Sequence, residues 1–534
     1  MAAAAPAPSR AAFLSRIALF AGAGLAQAAA IAAPWNGRPL WWLQLLSMVV
    51  LVWQLDVLRA DPRPKRWGSA ALHGWLFTTA WLCGTFWWLF VSMHTYGGMA
   101  APIAATAVLV LAAALALYYA VACGVFVAVV PRHPVGAALV FAALWTLGEL
   151  LRGSWFTGFP WGAGGYAHVD GPLAAHAAWL GVYGIGAVAA AIAALAALAP
   201  RRRTWRAAAA LIVVLVAAPH ALDLLRDDAD APSNARGKLG VALLQGNIPQ
   251  DEKFIPSGGI ATALRWYGEQ LRDATAPLVI TPETALPLLS NQLPPGYLDA
   301  IAARYASGTQ AAIVGLPVVG TAGERGEFDG YRNSVFGFKP GETQAYRYDK
   351  HHLVPFGEFV PGVFRWFTDL MNIPLGDFRS GGLAQAPFVW QGQRIAPNIC
   401  YEDLFGDEIG ANFRDAATAP TILLNVSNIA WFGDTVAIDQ HLAISRMRAL
   451  EFARPMVRST NTGATVVIDH RGRVTDALPR LTRGVLTAEV EGRAGLTPYA
   501  VWVSRFGLWP LWGLSLLVVA VAVWQQRRGA QRGR

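Results

Sequence analysis

The chain has 534 residues, 54% of them hydrophobic and only 14% charged, and its mean hydropathy is +0.37. That balance excludes intrinsic disorder and a wholly soluble protein, because so much apolar surface needs lipid to cover it. A net charge of +9 would suit nucleic acid, but the basic residues fall in short loops between apolar runs with no aromatic-interleaved stripe, so no nucleic-acid partner is expected.

An apolar helix of about 20 residues rises roughly 30 Å and can cross a bilayer. Seven such segments come first, at about 12–33, 40–58, 70–93, 101–130, 135–151, 173–199 and 205–223, and an eighth follows at about 505–524. With a cytoplasmic amino terminus, the cytoplasmic pieces carry Arg10, Arg16, Arg59, Arg63, Lys65, Arg66, Arg132, Arg201, Arg202, Arg203, Arg206, Arg527, Arg528, Arg532 and Arg534. The opposite short loops carry Arg38 and Arg152. Fifteen positives against two is a strong positive-inside bias, and an odd number of crossings puts the polar region on the far side of the membrane. Residues 1–33 also have features of a secretory signal, and cleavage there would leave the polar region on the same side. Glu149 and Arg152, three apart on one helix, are expected to form a local ion pair. The domain plan is a membrane domain over 1–225, an extracytoplasmic catalytic domain over 226–495, and a final transmembrane helix with a basic tail over 496–534.

From about 238 to 490 short β-branched runs alternate with amphipathic helices, the pattern of a single α/β domain. Strands are predicted at Gly240 to Gln245, Leu278 to Thr281, Ala311 to Gly315, Asn333 to Phe338, Arg394 to Ile399, Thr421 to Asn425 and Ala464 to Asp469. Helices are predicted at Gly259 to Asp273, Gly296 to Ala306 and Ala437 to Ala453. The sequence has no P-loop, no GxGxxG after a strand, no HExxH and no CxxC, so neither a cofactor nor a metal is expected. His351 and His352 are adjacent, and neighbours on a strand face opposite ways, so one is expected to pack and one to be solvated.

Three cysteines, two of them (Cys83 and Cys123) inside apolar runs, give no disulfide framework. Cys400 stands alone at the end of a predicted strand, in Asn398-Ile-Cys400-Tyr401-Glu402-Asp403. A strand that stops on a nucleophile lifts the side chain from the sheet and frees the next backbone N–H for an oxyanion. A thiol with pKa near about 8.5 also needs a base or a cation beside it. Glu283 follows the strand Leu278 to Thr281, and Lys350 precedes the Val-Pro-Phe-Gly-Glu358 turn. A cysteine at a strand end is more often core, and a lone glutamate or lysine more often solvated, so it is the three together that point to chemistry.

The motifs TPETA around Glu283, YDKHHLVPFGE around Lys350 and NICYED around Cys400 resemble the nitrilase superfamily. Joined to seven helices before and one after, the chain resembles the apolipoprotein N-acyltransferase family of polytopic membrane proteins. Gln245-Gly-Asn-Ile-Pro-Gln250, Asn425-Val-Ser-Asn428, Ala430-Trp-Phe-Gly-Asp434 and Arg446-Met-Arg-Ala-Leu-Glu451 carry the same resemblance. It implies an αββα sandwich with Glu283, Lys350 and Cys400 as catalytic residues, and Glu358, Tyr401 and Glu402 in support. Phe254, Trp431 and Phe432 become residues for lipid substrates. The implied partners are a phospholipid acyl donor, a diacylated apolipoprotein acceptor and the bacterial inner membrane, with the catalytic domain on the periplasmic side. Two positions depart from the family pattern: Phe254 stands where a tryptophan is common, and Ile429 where an aspartate is common. A membrane-tethered amidase, or a non-catalytic lipid or lipoprotein carrier, would be compatible with many of the same residues.

Overall fold

The computed structural model describes residues 10–60, 66–131, 133–200, 204–223, 232–320, 330–359 and 378–532. Of the topology-setting basic residues, Arg63, Lys65, Arg132, Arg201, Arg202, Arg203 and Arg534 lie outside that set. The chain divides into two compact units, one of residues 1–90, 100–228 and 508–534, the other of residues 91–99 and 229–507.

The first unit is helical. Among the described residues seven helices are long and apolar enough to cross a bilayer, or eight if the bent pair Arg66–Phe86 and Leu89–Tyr96 is one span. The bend falls in the third predicted segment, whose last residues, from Val91 on, belong to the other unit. Leu109, Val110, Leu117 and Val121 on Ala101–Val129 are exposed in this unit, as expected of a helix whose outer face meets lipid. Inside, Trp81 stacks on Trp145 at 5.5 Å, and a Cβ on Gly74 would lie 2.6 Å from Cys123 Sγ, the close helix approach that small residues permit. The expected ion pair does not form. Arg152 donates to the carbonyls of Phe159 and Trp161, each at 2.7 Å, and to Tyr119 Oη at 3.2 Å. Glu149 accepts from the Gly164 N–H at 2.7 Å. Backbone groups beyond the helix break after Ser154 take one oxygen of Glu149 and one nitrogen of Arg152 in place of the pair.

Among its described residues the second unit holds twelve strands: β1 Ala235–Gln245, β2 Leu278–Ile280, β3 Ala311–Val319, β4 Tyr331–Phe338, β5 Tyr346–Asp349, β6 Phe388–Trp390, β7 Gln393–Ile399, β8 Ile422–Ser427, β9 Met456–Thr460, β10 Val466–Ile468, β11 Val474–Ala477 and β12 Gly484–Arg493. They form two six-stranded sheets, ordered β12-β1-β2-β3-β4-β5 and β11-β10-β9-β8-β7-β6. In each sheet three strands run parallel, β1, β2 and β3 in one and β7, β8 and β9 in the other, with antiparallel strands flanking them. One core lies between the sheets: Leu243, Ile280 and Ile313 of the first pack with Ile399, Leu424 and Val457 of the second. Tyr267 and Leu271 of the helix Ala261–Asp273, with Tyr305 of Tyr297–Ser307, cover the outer face of the first sheet. Ala449 and Phe452 of Ala437–Phe452, with Tyr499 and Val503 of Pro498–Phe506, cover the second. The layers are αββα, as the resemblance implied.

Parallel strands buried on both faces read as continuous apolar runs, which is why β2, β3 and β8 are visible in the sequence. Strands β5, β6, β9, β11 and β12 are not, because three are short edge or near-edge pieces, β9 is mostly polar (MVRST), and β12 alternates along an edge. The terminal membrane helix runs Trp509–Arg532, and the shorter Pro498–Phe506 before it packs on the second sheet instead.

Candidate active site

Two parallel strands end at the site. Strand β2 delivers Glu283 and strand β7 delivers Cys400, and the crevice beyond the carboxyl ends of parallel strands is where α/β folds gather functional groups. Both turns are strained, since Thr284 has φ of 49° and Cys400 φ of 56°, a left-handed conformation that costs L-residues about 1–2 kcal/mol. At Cys400 it swings the side chain off the line of β7. At Glu283 the turn lies against β3: a Cβ on Gly315 would be 2.3 Å from Pro282 O, and the Gly315 N–H donates to Thr281 Oγ1 at 2.9 Å. No residue larger than glycine fits there.

The structure brings Glu283, Lys350 and Glu358 together in one buried cluster. Lys350, 1% exposed, follows β5, and its own N–H donates to Asn333 O at 2.8 Å. Its Nζ lies 3.0 Å from Glu358 Oε1, 2.9 Å from Glu358 Oε2 and 3.5 Å from Glu283 Oε1. Asn333 Nδ2 donates to both carboxylates, at 2.7 Å to Glu283 and 2.8 Å to Glu358. The Asn428 N–H donates to Glu283 Oε2 at 2.8 Å, and the Val354 N–H to Glu358 Oε2 at 2.8 Å. Burial works against the Lys350 ammonium, but Glu358 and then Glu283 outweigh it, so this lysine is held well above its ordinary pKa.

Cys400 is partly buried, and Ser427 Oγ donates to its Sγ at 3.5 Å. Burial, then the charge of Glu283, pushes the thiol up to about 12 against the opposing pull of Lys350 and Ser427. Glu283 and Lys350 thus act on Cys400 in opposite senses.

Glu402 is tied down on every side. It accepts from the Ile399 N–H at 2.5 Å, the His351 N–H at 2.7 Å, the His352 N–H at 3.2 Å and Tyr348 Oη at 3.0 Å. Burial pushes its carboxyl up to about 7, against those backbone donors and Lys350. It therefore staples the turn after Cys400 to the segment after Lys350. Tyr401 is buried, with its ring 5.3 Å from Phe405 and 5.7 Å from His352. Neither neighbouring histidine is simply solvated: His351 Nδ1 is 2.8 Å from Gly381 O, and His352 is 2.8 Å from Glu408 and stacked on Phe405. Among the described residues no group of three histidine, cysteine, aspartate or glutamate side chains could hold a metal.

Several residues of the site were missed in the sequence. Beneath Cys400, Asn425 Nδ2 donates to its carbonyl at 3.1 Å and His441 Nε2 lies 3.2 Å from the same oxygen. Arg458 Nη2 lies 3.2 Å from His441 Nδ1 and Arg458 Nη1 is 3.1 Å from Asp403, which His441 Nε2 also meets at 2.9 Å. Since a guanidinium only donates, His441 carries its proton on Nε2. This buried Asp403-His441-Arg458 network carries the floor of the turn, and His441 and Arg458 then hold Asp403 below the usual carboxylate range despite its burial. Asn425 and Asn428 stood in a quoted motif; Asn333, His441 and Arg458 left no local signal, being contributed by separate elements.

Of the residues assigned to substrates, Phe254 is 42% exposed and Trp431 40% exposed. The Trp431 ring meets Tyr96 edge-on at 6.3 Å, and Phe432 is partly buried beside it. Ile429, where a charge is common, is 2% exposed, and a Cβ on Gly463 would be 2.6 Å from its Cγ2. The aliphatic side chain fills a dry space beneath the loop that a carboxylate would occupy only at a desolvation cost.

A thiol at the end of a parallel strand, with a glutamate and a lysine coupled to it inside an αββα sandwich, defines a carbon-nitrogen hydrolase domain, and residues 240–499 match the family model of that description. Residues 23–195 match the apolipoprotein N-acyltransferase N-terminal domain. The chain is 58% identical over 91% of its length to the apolipoprotein N-acyltransferase of Verminephrobacter eiseniae, covering 92% of that protein. It is 47% identical to that of Ralstonia nicotianae, over 91% of this chain and 90% of the relative. To that of Bordetella bronchiseptica it is 42% identical, over 96% and 97%. The chain belongs to the apolipoprotein N-acyltransferase family, and it is an acyl-transferring enzyme with a multi-pass membrane unit.

Proposed function

We infer that the chain moves an acyl group from a membrane phospholipid, through a thioester on Cys400, to the α-amine of the S-diacylglyceryl cysteine that begins an apolipoprotein. The observation that carries this is the coupled trio, with Lys350 3.5 Å from Glu283 and both acting on the Cys400 thiol. In the first half, Glu283 takes the thiol proton while sulfur attacks the ester carbonyl carbon. A thiol held near about 12 has too little standing thiolate at neutral pH, so the proton must leave as the bond forms. Lys350 and the Tyr401 N–H bear the oxyanion; the C–O bond then breaks, and Glu283 returns its proton to the departing glyceryl oxygen. In the second half the amine nitrogen attacks the thioester, the C–S bond breaks, and the amine proton passes by Glu283 to sulfur. Glu358 positions Lys350, and Glu402 positions the turn that holds the Tyr401 N–H.

The family relationship and the membrane unit favour this over an amidase or a carrier. Chains moved through water would cost about 0.8 kcal/mol per CH₂, so an enzyme with two lipid substrates has reason to be membrane-bound. Phe254, Trp431 and Phe432 offer apolar area to those chains; an unchanged KM for phospholipid in Phe254→Ala would remove Phe254 from that role. Purified full-length protein given phospholipid and a diacylated lipopeptide is expected to yield N-acylated lipopeptide by mass. Hydrolysis of small amides alone would establish the amidase instead.

The charge bias supports a periplasmic catalytic unit at the inner membrane. A cysteine at exposed Thr343 is expected to react with an impermeant thiol reagent from the periplasm, and one at exposed Gln531 only after the cytoplasmic side is opened. Labelling of both from one side would break the topology.

A further inference from the structure

Lys253 is a second lysine at the site, with no part in the acyl-transfer steps above. It lies in the loop after β1, next to Phe254, but the two face opposite ways: Phe254 is 42% exposed and Lys253 2%. Among the described residues Lys253 Nζ has no hydrogen-bond partner, and Glu283, then Cys400, are the groups that favour its charged form. Gln250, three residues earlier, is also buried, and its Nε2 is likewise without a partner. A buried donor left unpaired costs about 1–3 kcal/mol, and a charged one more.

These donors are held in place. Asn461 Nδ2 donates to Ile248 O at 2.8 Å and its Oδ1 accepts from the Ile248 N–H at 3.0 Å. Asn428 Nδ2 donates to Gln250 Oε1 at 3.0 Å, which turns the Gln250 amide nitrogen away from Asn428 and leaves it free. The loop closes where the Gly259 N–H donates to Glu252 O at 3.1 Å, and a Cβ on Gly259 would be 2.6 Å from Lys253 Cα. The same Asn428 binds Glu283 through its N–H, so loop and base share one network. Lys350 differs in that its ammonium already has Glu358 and Glu283 as acceptors.

We propose that Lys253 and Gln250 form a second oxygen-binding subsite beside Cys400, which takes an anionic oxygen of the acyl donor during formation of the thioester. That oxygen is either the tetrahedral oxyanion made when sulfur adds to the ester carbonyl or the phosphodiester oxygen of the same lipid. The inference rests on the acyl-transfer reading and adds a residue pair to it. Burial brings Lys253 down to about 8, against Glu283 and Cys400, so the ammonium is mostly kept at neutral pH and has an unmet need for an acceptor.

The test measures the rate of acyl-Cys400 formation by intact mass, with full-length protein in micelles and no acceptor peptide. Two donors are compared, a phosphatidylethanolamine and the phosphate-free p-nitrophenyl palmitate. Lys253→Met should slow acylation about 100-fold, the usual effect of losing an oxyanion donor, Gln250→Leu should slow it less, and Lys253→Arg should recover part of the loss. Slowing with both donors assigns the oxyanion, and slowing with phosphatidylethanolamine alone assigns the phosphodiester. Because the resting lysine has no partner to lose, Lys253→Met should unfold at the same or a higher temperature than the parent. A lower unfolding temperature, or failure to fold, would make Lys253 structural and overturn the proposal. Acylation within two-fold of the parent with both donors would overturn it alone, whereas a parent protein that forms no adduct with either donor would overturn the acyl-transfer reading and this proposal together.

Discussion

Full-length protein given phospholipid but no acceptor is expected to gain one acyl group on Cys400, removable by hydroxylamine and discharged by added lipopeptide. Cys400→Ala should carry none, although Cys83 and Cys123 remain. Those two lie in the helical unit, Cys123 buried. Cys400→Ser should fold and turn over poorly, because an alcohol is far less acidic than a thiol. The free thiol provides an independent reading. Since Cys400 is pushed up to about 12, the neutral form dominates below that pH, and alkylation by iodoacetamide should be slow at pH 7 and climb steadily through pH 10. Glu283→Gln removes both the base and the negative charge that raises the thiol. It should therefore shift the alkylation profile to lower pH while cutting acylation by about 10²–10⁴-fold, and only a proton-transfer role moves the two in opposite directions. An acyl group on Cys400→Ala as abundant as on the parent would end the case for Cys400 as nucleophile.

Lys350→Met is expected to have two separable effects. Its ammonium is 1% exposed and shared by two carboxylates, so removing it strands Glu283 and Glu358 in a buried cluster, at about 3–5 kcal/mol of stability. It also removes an oxyanion donor, at about 3–4 kcal/mol of transition-state stabilisation. Adding Glu358→Gln relieves one of the stranded charges, and its amide can still accept from Asn333 Nδ2, which now donates to Glu358 Oε1 at 2.8 Å. The double variant should recover part of the unfolding temperature lost in Lys350→Met, and none of the acylation rate. Thermal unfolding and single-turnover acylation together check this. Recovery of both would mean that Lys350 acts only through stability.

Much of this protein could be read without coordinates, for local reasons. Membrane helices announce themselves because a lipid-facing span must be predominantly apolar, and Ala101–Val129 carries no charged residue along its whole length. Strands β2, β3 and β8 read as strands because burial on both faces demands apolar runs. Glu283 and Cys400 could be singled out because each follows a predicted strand. Residues in polar surroundings were not legible in the same way. Strand β9 is filled with Arg458, Ser459 and Thr460, all buried, and looks like a loop until Asp403 and His441 are brought to it from other elements. Glu149 and Arg152 sit at the spacing of a helical ion pair, yet each hydrogen-bonds instead to backbone beyond a helix break that the spacing cannot reveal.

Sequence alone determined the two-part architecture and the positive-inside charge bias and singled out Glu283, Lys350 and Cys400 as candidates, since these depend on periodicity, composition and local motif. Only the tertiary structure decided which groups surround those three. Asn333 lies 50 positions from Glu283 and Asn428 lies 145 positions away, and Lys253 turns inward while Phe254 turns out. Partners so distant meet only when two sheets pack face to face and bring the ends of β2, β5, β7 and β8 into one buried crevice, where every polar group must find a hydrogen bond or wait for a substrate to supply one.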